Sequence, residues 1–213
     1  MQSLVGIKNG AGVDAFTVSL VLLDRRVWDG TGGTWSKPAT GAGNILAGTG
    51  VLARLVCHGG GGSGGSGGSS FGSIGRGNGG GAGGRSERII NLGQMGSTET
   101  VTVGAGGASD TAGGNTTIGS LLTAGGGFPG PPKSASNDLQ PGRGGFGNLS
   151  CGMNGTAAAG SGGTLSGLGG LGQTGDPGIT TTRGSSGNGG AQDAYGSDGQ
   201  PGFAFIEVWG IAS

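Results

Sequence analysis

The chain holds a single histidine, His58, and two cysteines, Cys57 and Cys151. A metal site built on several imidazoles is thereby excluded, and Cys57 cannot join its neighbour around one ion, because successive strand residues point to opposite faces. A serine hydrolase needs a base and an orienting acid converging on its nucleophile, whereas the one imidazole here opens a run of glycine. "GRGNGG", Gly75 to Gly80, matches the dinucleotide pattern G-x-G-x-x-G by letter. No strand-loop-helix context surrounds it, and a phosphate cradle also draws on a helix N-terminus. Asn115, Asn148 and Asn154 each begin an N-x-S/T sequon and read as loop asparagines. Arg85, Glu87 and Arg88 flank a strand and read as a solvated face. Two cysteines allow at most one bridge, fewer than a disulfide scaffold carries, so free thiols are expected. None of these residues assembles a catalytic constellation; the chain is expected not to be an enzyme and to use no cofactor and no metal.

The elements that would position any side chain are dominated by glycine, 61 of 213 residues, against an average usage of about 7%. A glycine fixed in a regular element costs about 0.5–1 kcal/mol more than alanine. So many could not be carried as filler by a fold whose net stability is about 5–15 kcal/mol. Disorder goes with high net charge, but Lys+Arg and Asp+Glu balance at 11 each and only 10% of residues are charged. The backbone itself must require glycine. The same zero balance removes the electrostatic argument for nucleic acid. The first residues lack the basic and apolar regions of a signal peptide, so synthesis in the cytosol is expected. The longest apolar run, within Phe16 to Leu23, is too short to span a bilayer, and no membrane insertion is expected.

Strand signals punctuate the glycine. "FTVSLVLL" and "RRVW" carry β-branched and aromatic residues, and Val51 to His58 alternates with Val51, Ala53, Leu55 and Cys57 on one face. "DGTGGTWSKPA" reads as a turn-rich connection. "RSERIINL" and "TETVTVG" suggest a hairpin across Gly93 to Ser97, "TTIGSLLTA" a further strand-like piece, and "FAFIEVWG" a closing strand buried on both faces. Essentially no α-helix is expected.

From Gly160 to Gly202 glycine stands at every third position except Ser166, Thr181 and Asp193, and residues 61 to 69 are successive GGS units. A period of three fits a polyproline-II-type helix, which has no internal hydrogen bonds. Its amides must find partners on neighbouring segments, and glycine permits that approach. Collagen is excluded by seven prolines in the whole chain, since it needs Pro or Hyp at about 15–20% or more. The fold class expected is all-β/irregular: a small antiparallel β part with a bundle of short polyglycine-II helices and end loops. An N-terminal β or attachment region would occupy 1–57, and the glycine-rich domain with its closing strand 58–213.

The order of blocks "GTWSKP", "VLARLVCHGGGGSGG", "ETVTVGAGGAS", "TTIGSLLTAGGG" and "GQPGFAFIEVW" resembles the glycine-rich domains of tailed-bacteriophage tail fibres and tip adhesins, over about Asp29 to Ile211. The resemblance implies a sandwich of polyglycine-II helices whose end loops bind the bacterial surface. It implies a virion protein of the tail fibre or tail tip, whose partners are a surface receptor (outer-membrane protein or polysaccharide) and other tail proteins met through the N-terminal region. A single chain and a homotrimer are both compatible with it.

The turn segments collect the side chains that a glycine lattice excludes, and loops on a rigid scaffold concentrate binding residues. The receptor-binding candidates are Phe128, Lys133, Asp138, Leu139, Leu149, Met153, Asp176, Ile179, Arg183 and Tyr195. The alternative role is a structural virion component, a fibre cap or baseplate decoration. An ice-binding protein is a more distant one, disfavoured by the irregular loops.

Overall fold

The computed structural model describes residues 2–4, 18–38, 51–70, 73–75, 77–131, 141–149, 152, 154–155, 184–188 and 195–212. Its strands are β1 (Gln2–Leu4), β2 (Val18–Asp29), β3 (Gly33–Ser36), β4 (Leu52–His58), β5 (Gly68–Ser70), β6 (Ser73–Gly75), β7 (Arg85–Asn91), β8 (Thr98–Thr102), β9 (Thr116–Ile118), β10 (Leu122–Ala124) and β11 (Phe203–Ala212). A five-stranded antiparallel sheet runs β1-β2-β11-β4-β7, a four-stranded one β10-β9-β8-β3, and β5 and β6 form a ribbon. One 3-10 turn, Leu92–Gln94, is the helical element among the described residues. Among the described residues the protein is mostly β with essentially no α-helix, as the sequence leads one to expect.

Alternation decides the packing of the first sheet. Ala53, Leu55 and Cys57 of β4 share a face with Ala204, Ile206 and Val208 of β11, and that face packs on Trp35, Val101, Ile118, Leu122 and Ala124 of the second sheet. On the opposite face Val56, Phe203 and Phe205 form a second cluster. The closing strand β11 is thus buried on both faces, and it lies between β2 and β4. This joins the N-terminal part of the chain to its C-terminal end. Trp35 Nε1 donates to Asp24 Oδ2 across the layers at 3.1 Å.

Three readings of the sequence are corrected. β7 and β8 do not form a hairpin: β7 pairs with β4 in the first sheet, while β8 pairs with β3 and β9 in the second. The 3-10 turn between them buries Leu92, and Met95 follows it into the core, which carries the chain from one layer to the other. "TTIGSLLTA" is two strands, reversed at Gly119, whose φ of 49° suits glycine. The supposed connection after Asp29 contains β3, held by pairing with β8 despite its turn-forming composition.

Beyond His58 the backbone bonds in rotation. The N–H groups of Gly59, Gly62 and Gly65 donate to the carbonyls of Gly84, Gly81 and Asn78. Those of Gly60 and Ser63 donate to Gly114 and Thr111, and those of Gly61 and Gly64 to Gln200 and Ser197. In return the carbonyls of Gly60 and Ser63 accept from Gly127 and Gly130, that of Gly61 from Gly107, and that of Gly62 from Gly187. Segment 59–65 is therefore surrounded by other segments and buried throughout. A Cβ at Gly59, Gly60, Gly61, Gly62 or Gly65 would meet a backbone carbonyl of a neighbour in each case. The absence of side chains is what lets the segments bond.

Candidate functional site

Because β4 runs directly into Gly59, the neighbours of Gly59 lie at the sheet end of the glycine region and those of Gly65 at its far end. The far end holds Asn78, Thr111, Gly130 and Ser197 by the bonds above. The described residues that flank 132–140 (Pro131, Pro141) and 189–194 (Asn188, Tyr195) belong there too. Gly142 donates to Gly79, and Ser197 donates to Asn188.

The far end is polar. Asp110 accepts from the Ser66 amide at 3.0 Å and from its hydroxyl at 2.7 Å, which ties the loop after Gly107 to the end of the central segment. Ser109 and Asp110 both have positive φ, 39° and 61°, a conformation that Asp tolerates better than most residues. Thr111 Oγ1 donates to the Ala108 carbonyl at 2.5 Å and closes this turn. Asn188 N donates to Ser197 Oγ at 2.7 Å. Since Gly64 bonds Ser197 in antiparallel sense, Tyr195 comes level with Ser66, and its side chain is 77% exposed. An exposed aromatic ring can stack on a planar surface, and the carboxylate, hydroxyls and amides of this end can orient one by hydrogen bonds. Among the described residues no group of three or more His, Cys, Asp and Glu could hold a metal.

Of the sequence candidates, Tyr195 lies at this end. Phe128 is exposed on the flank, its carbonyl accepting from Gly81. Leu149 is at the sheet end, its amide donating to the Arg85 carbonyl. The structure thus does not bring these together. Lys133, Asp138, Leu139, Met153, Asp176, Ile179 and Arg183 lie outside the described residues. Sequence reasoning passed over Ser66 and Asp110. The signal available was "ASDTAGG", a polar turn between glycine runs.

The charges near β7 are not a plain solvated face. Arg54 Nε donates to Glu87 Oε1 at 2.7 Å, Arg54 Nη1 lies 3.4 Å from Glu207 Oε2, and Arg85 Nη2 is 3.1 Å from Glu87 Oε2. Arg25 Nε approaches Glu207 Oε1 at 3.6 Å. The hydrogen bond from Arg54, opposed by burial and helped by the charges of Arg54 and Arg85, holds the Glu87 carboxyl below its ordinary range. The same bond raises Arg54 further above neutrality. Arg88 does face solvent, with Nη1 donating to the Leu121 carbonyl at 3.1 Å. His58 ends β4 and stacks on Phe203, ring centroids 5.2 Å apart. Cys57 is a free thiol pushed up to about 12 by burial, so it is protonated and inert at neutral pH.

No helix of the described residues is long and apolar enough to cross a membrane. No protein-family model matches the chain, and comparison with curated proteins finds no match.

Proposed function

We propose that the chain is a receptor-binding protein of a phage tail fibre or tail tip, attaching to the bacterial surface without catalysis. In this reading the glycine segments form a polyglycine-II bundle. The observation that supports it is the rotation of bonds from segment 59–65, with period three, to separate neighbours. Such a bundle is stiff, and its far end carries polar side chains, Asp110 bonded to Ser66, with Tyr195 exposed at the same end. Residues 1–57 serve attachment to the tail and 58–213 present the receptor-facing loops.

The test is binding to cells. Purified, fluorescently labelled protein is expected to coat bacteria that the parent phage infects and to slow phage adsorption, and Tyr195→Ala with Asp110→Ala is expected to weaken coating at least ten-fold. Wild-type protein that neither coats cells nor competes would remove the adhesin role. Coating that persists in the double variant would move the receptor surface elsewhere. A structural cap without receptor contact is the outcome if exchanging 132–140 and 189–194 between related phages leaves host range unchanged.

A further inference from the structure

The two sheets leave a cleft where β2 meets β3. Asp24, Arg26 and Trp28 of β2 stand opposite Val208, Ile206 and Ala204 of β11 and so share their inner face, which Trp35 of β3 meets across the layers. Arg26, Val27, Trp28, Thr34, Trp35 and Ser36 line a cleft of about 320 Å³ there. Trp35 is 1% exposed, and its Nε1 is already spent on Asp24. Trp28 is partly buried against the core. Gly33 makes room for its ring, since a Cβ there would stand 2.8 Å from Trp28 Nε1.

Both strands that border the cleft carry backbone groups turned away from their sheets. Gly30 N donates to Gly202 O, so along the register Arg26 and Trp28 bond β11, while Val27 turns its amide and carbonyl to the other side. β1 pairs only with Val18, Ser19 and Leu20 and does not reach Val27. Lys37 N donates to Ser97 O, so Trp35 bonds β8, while Thr34 and Ser36 turn their amides and carbonyls outward. β3 is the last strand of its sheet. Among the described residues, nothing bonds these outward groups, the hydroxyls of Thr34 and Ser36, or Trp28 Nε1. The Arg26 side chain is 68% exposed, and its Nε approaches Asp24 only at 3.8 Å, which leaves guanidinium N–H groups to donate elsewhere.

The lining is mainly polar, so the cleft does not suit an apolar side chain. An added β-strand would find little here: β3 turns out only Thr34 and Ser36 before Pro38, which has no N–H, and strand addition takes its specificity from side-chain pockets. A sugar ring fits better. Each of its hydroxyls both donates and accepts, its C–H face packs on an indole, and the volume stands at the lower end of the range of about 300–1,000 Å³ for small-molecule sites. We propose that the cleft between β2 and β3 binds one pyranose ring of a saccharide, packed on Trp28 and bonded through its hydroxyls by Arg26, Thr34 and Ser36. The site lies between the sheets, apart from the end that carries Tyr195. It does not rest on the receptor reading, because the assay below involves no cells.

The intact protein is applied to an array of oligosaccharides built from neutral, amino and uronic sugars, and the retained glycan is titrated by calorimetry. Thr34→Ala combined with Ser36→Ala, both at exposed positions and so compatible with folding, should weaken binding about ten-fold, as for the loss of two hydrogen bonds. Arg26→Met, which keeps the apolar stem and removes the guanidinium, should weaken it about as much. Trp28→Phe keeps a ring packed on the core and removes the N–H, so it should weaken binding less than either. No retained glycan, or binding indifferent to Arg26→Met and to the Thr34 and Ser36 changes, overturns the proposal. A glycan whose binding falls with Tyr195→Ala but not with these changes sits at the far end and overturns it as well. Enrichment of an extended peptide from a displayed random library, with no glycan retained, would assign the two edges to strand addition instead.

Discussion

Gly62 shows what a single residue contributes. Its N–H donates to Gly81 at 2.9 Å and its carbonyl accepts from Gly187 at 2.9 Å, while an added Cβ would strike the Phe128 carbonyl. That carbonyl is itself engaged by Gly81, so moving it away breaks a second bond. In an exposed helix the change Gly→Ala stabilises by about 0.5–1 kcal/mol. Here overpacking against immobile backbone reverses the sign, and Gly62→Ala should destabilise by about 3 kcal/mol or more. Gly93→Ala is the control, since the nearest atom to its Cβ is Asn91 Oδ1 at 3.1 Å, at an exposed turn; its effect should stay within about 1 kcal/mol. Urea denaturation of the two variants decides the matter. Equal midpoints would mean that the central glycine stretch is slack chain. Thr116 is a second residue of this kind, since its buried hydroxyl donates to the His58 carbonyl at 2.7 Å and accepts from Gly104 N at 2.9 Å.

At the scale of elements, ion pairing ties β4, β7 and β11 together across one face. Glu87 is the partner of both Arg54 and Arg85. With its folded pKa below the unfolded one, it adds stability that is complete above the ordinary carboxylate value and is lost as pH falls through the folded value. Glu87→Gln should therefore cost about 1.5–3 kcal/mol at pH 7, as for a hydrogen bond to a charged group, and that cost should shrink as pH falls below the ordinary carboxylate range. Thermal melts of both proteins across pH 3 to 7 test this; parallel curves would show that the pair contributes nothing. Nearby, Asn148 closes the edge of β7, its Oδ1 accepting from Glu87 N and its Nδ2 donating to Glu87 O. β4 and β11 were legible because alternating apolar residues specify a face whatever the partner. β3 was hidden, since its pairing with β8 is a long-range fact that "GTWS" does not encode locally. The β7–β8 hairpin was misread because nearness in sequence favours pairing, while burial of Leu92 and Met95 directs the chain between layers. The grouping of the candidate residues was hidden for a related reason. Whether Leu149 or Tyr195 reaches a given end depends on which carbonyl each distant glycine meets.

Across the whole molecule the open question is whether sheet and glycine region unfold as one. β4 passes into segment 59–65 without a break, Gly202 donates to Gly104 just before β11 begins, and Thr116 of the second sheet bonds both His58 and Gly104. These links tie the two sheets to the glycine region and argue for a single cooperative unit. Cys57 can report on it. The register places it between Ala204 and Ser86, fully buried, and with a pKa pushed up to about 12 its thiol should alkylate only from an open state. Iodoacetamide labelling of the peptide carrying Cys57, read by mass spectrometry, separates this thiol from Cys151. In a cooperative molecule the opening free energy from labelling equals that from urea denaturation, and Gly62→Ala, which does not touch Cys57, accelerates labelling by the factor its destabilisation dictates, about ten-fold for each 1.4 kcal/mol. If the labelling rate ignores Gly62→Ala, the sheet outlives the glycine lattice, and the two open as separate units.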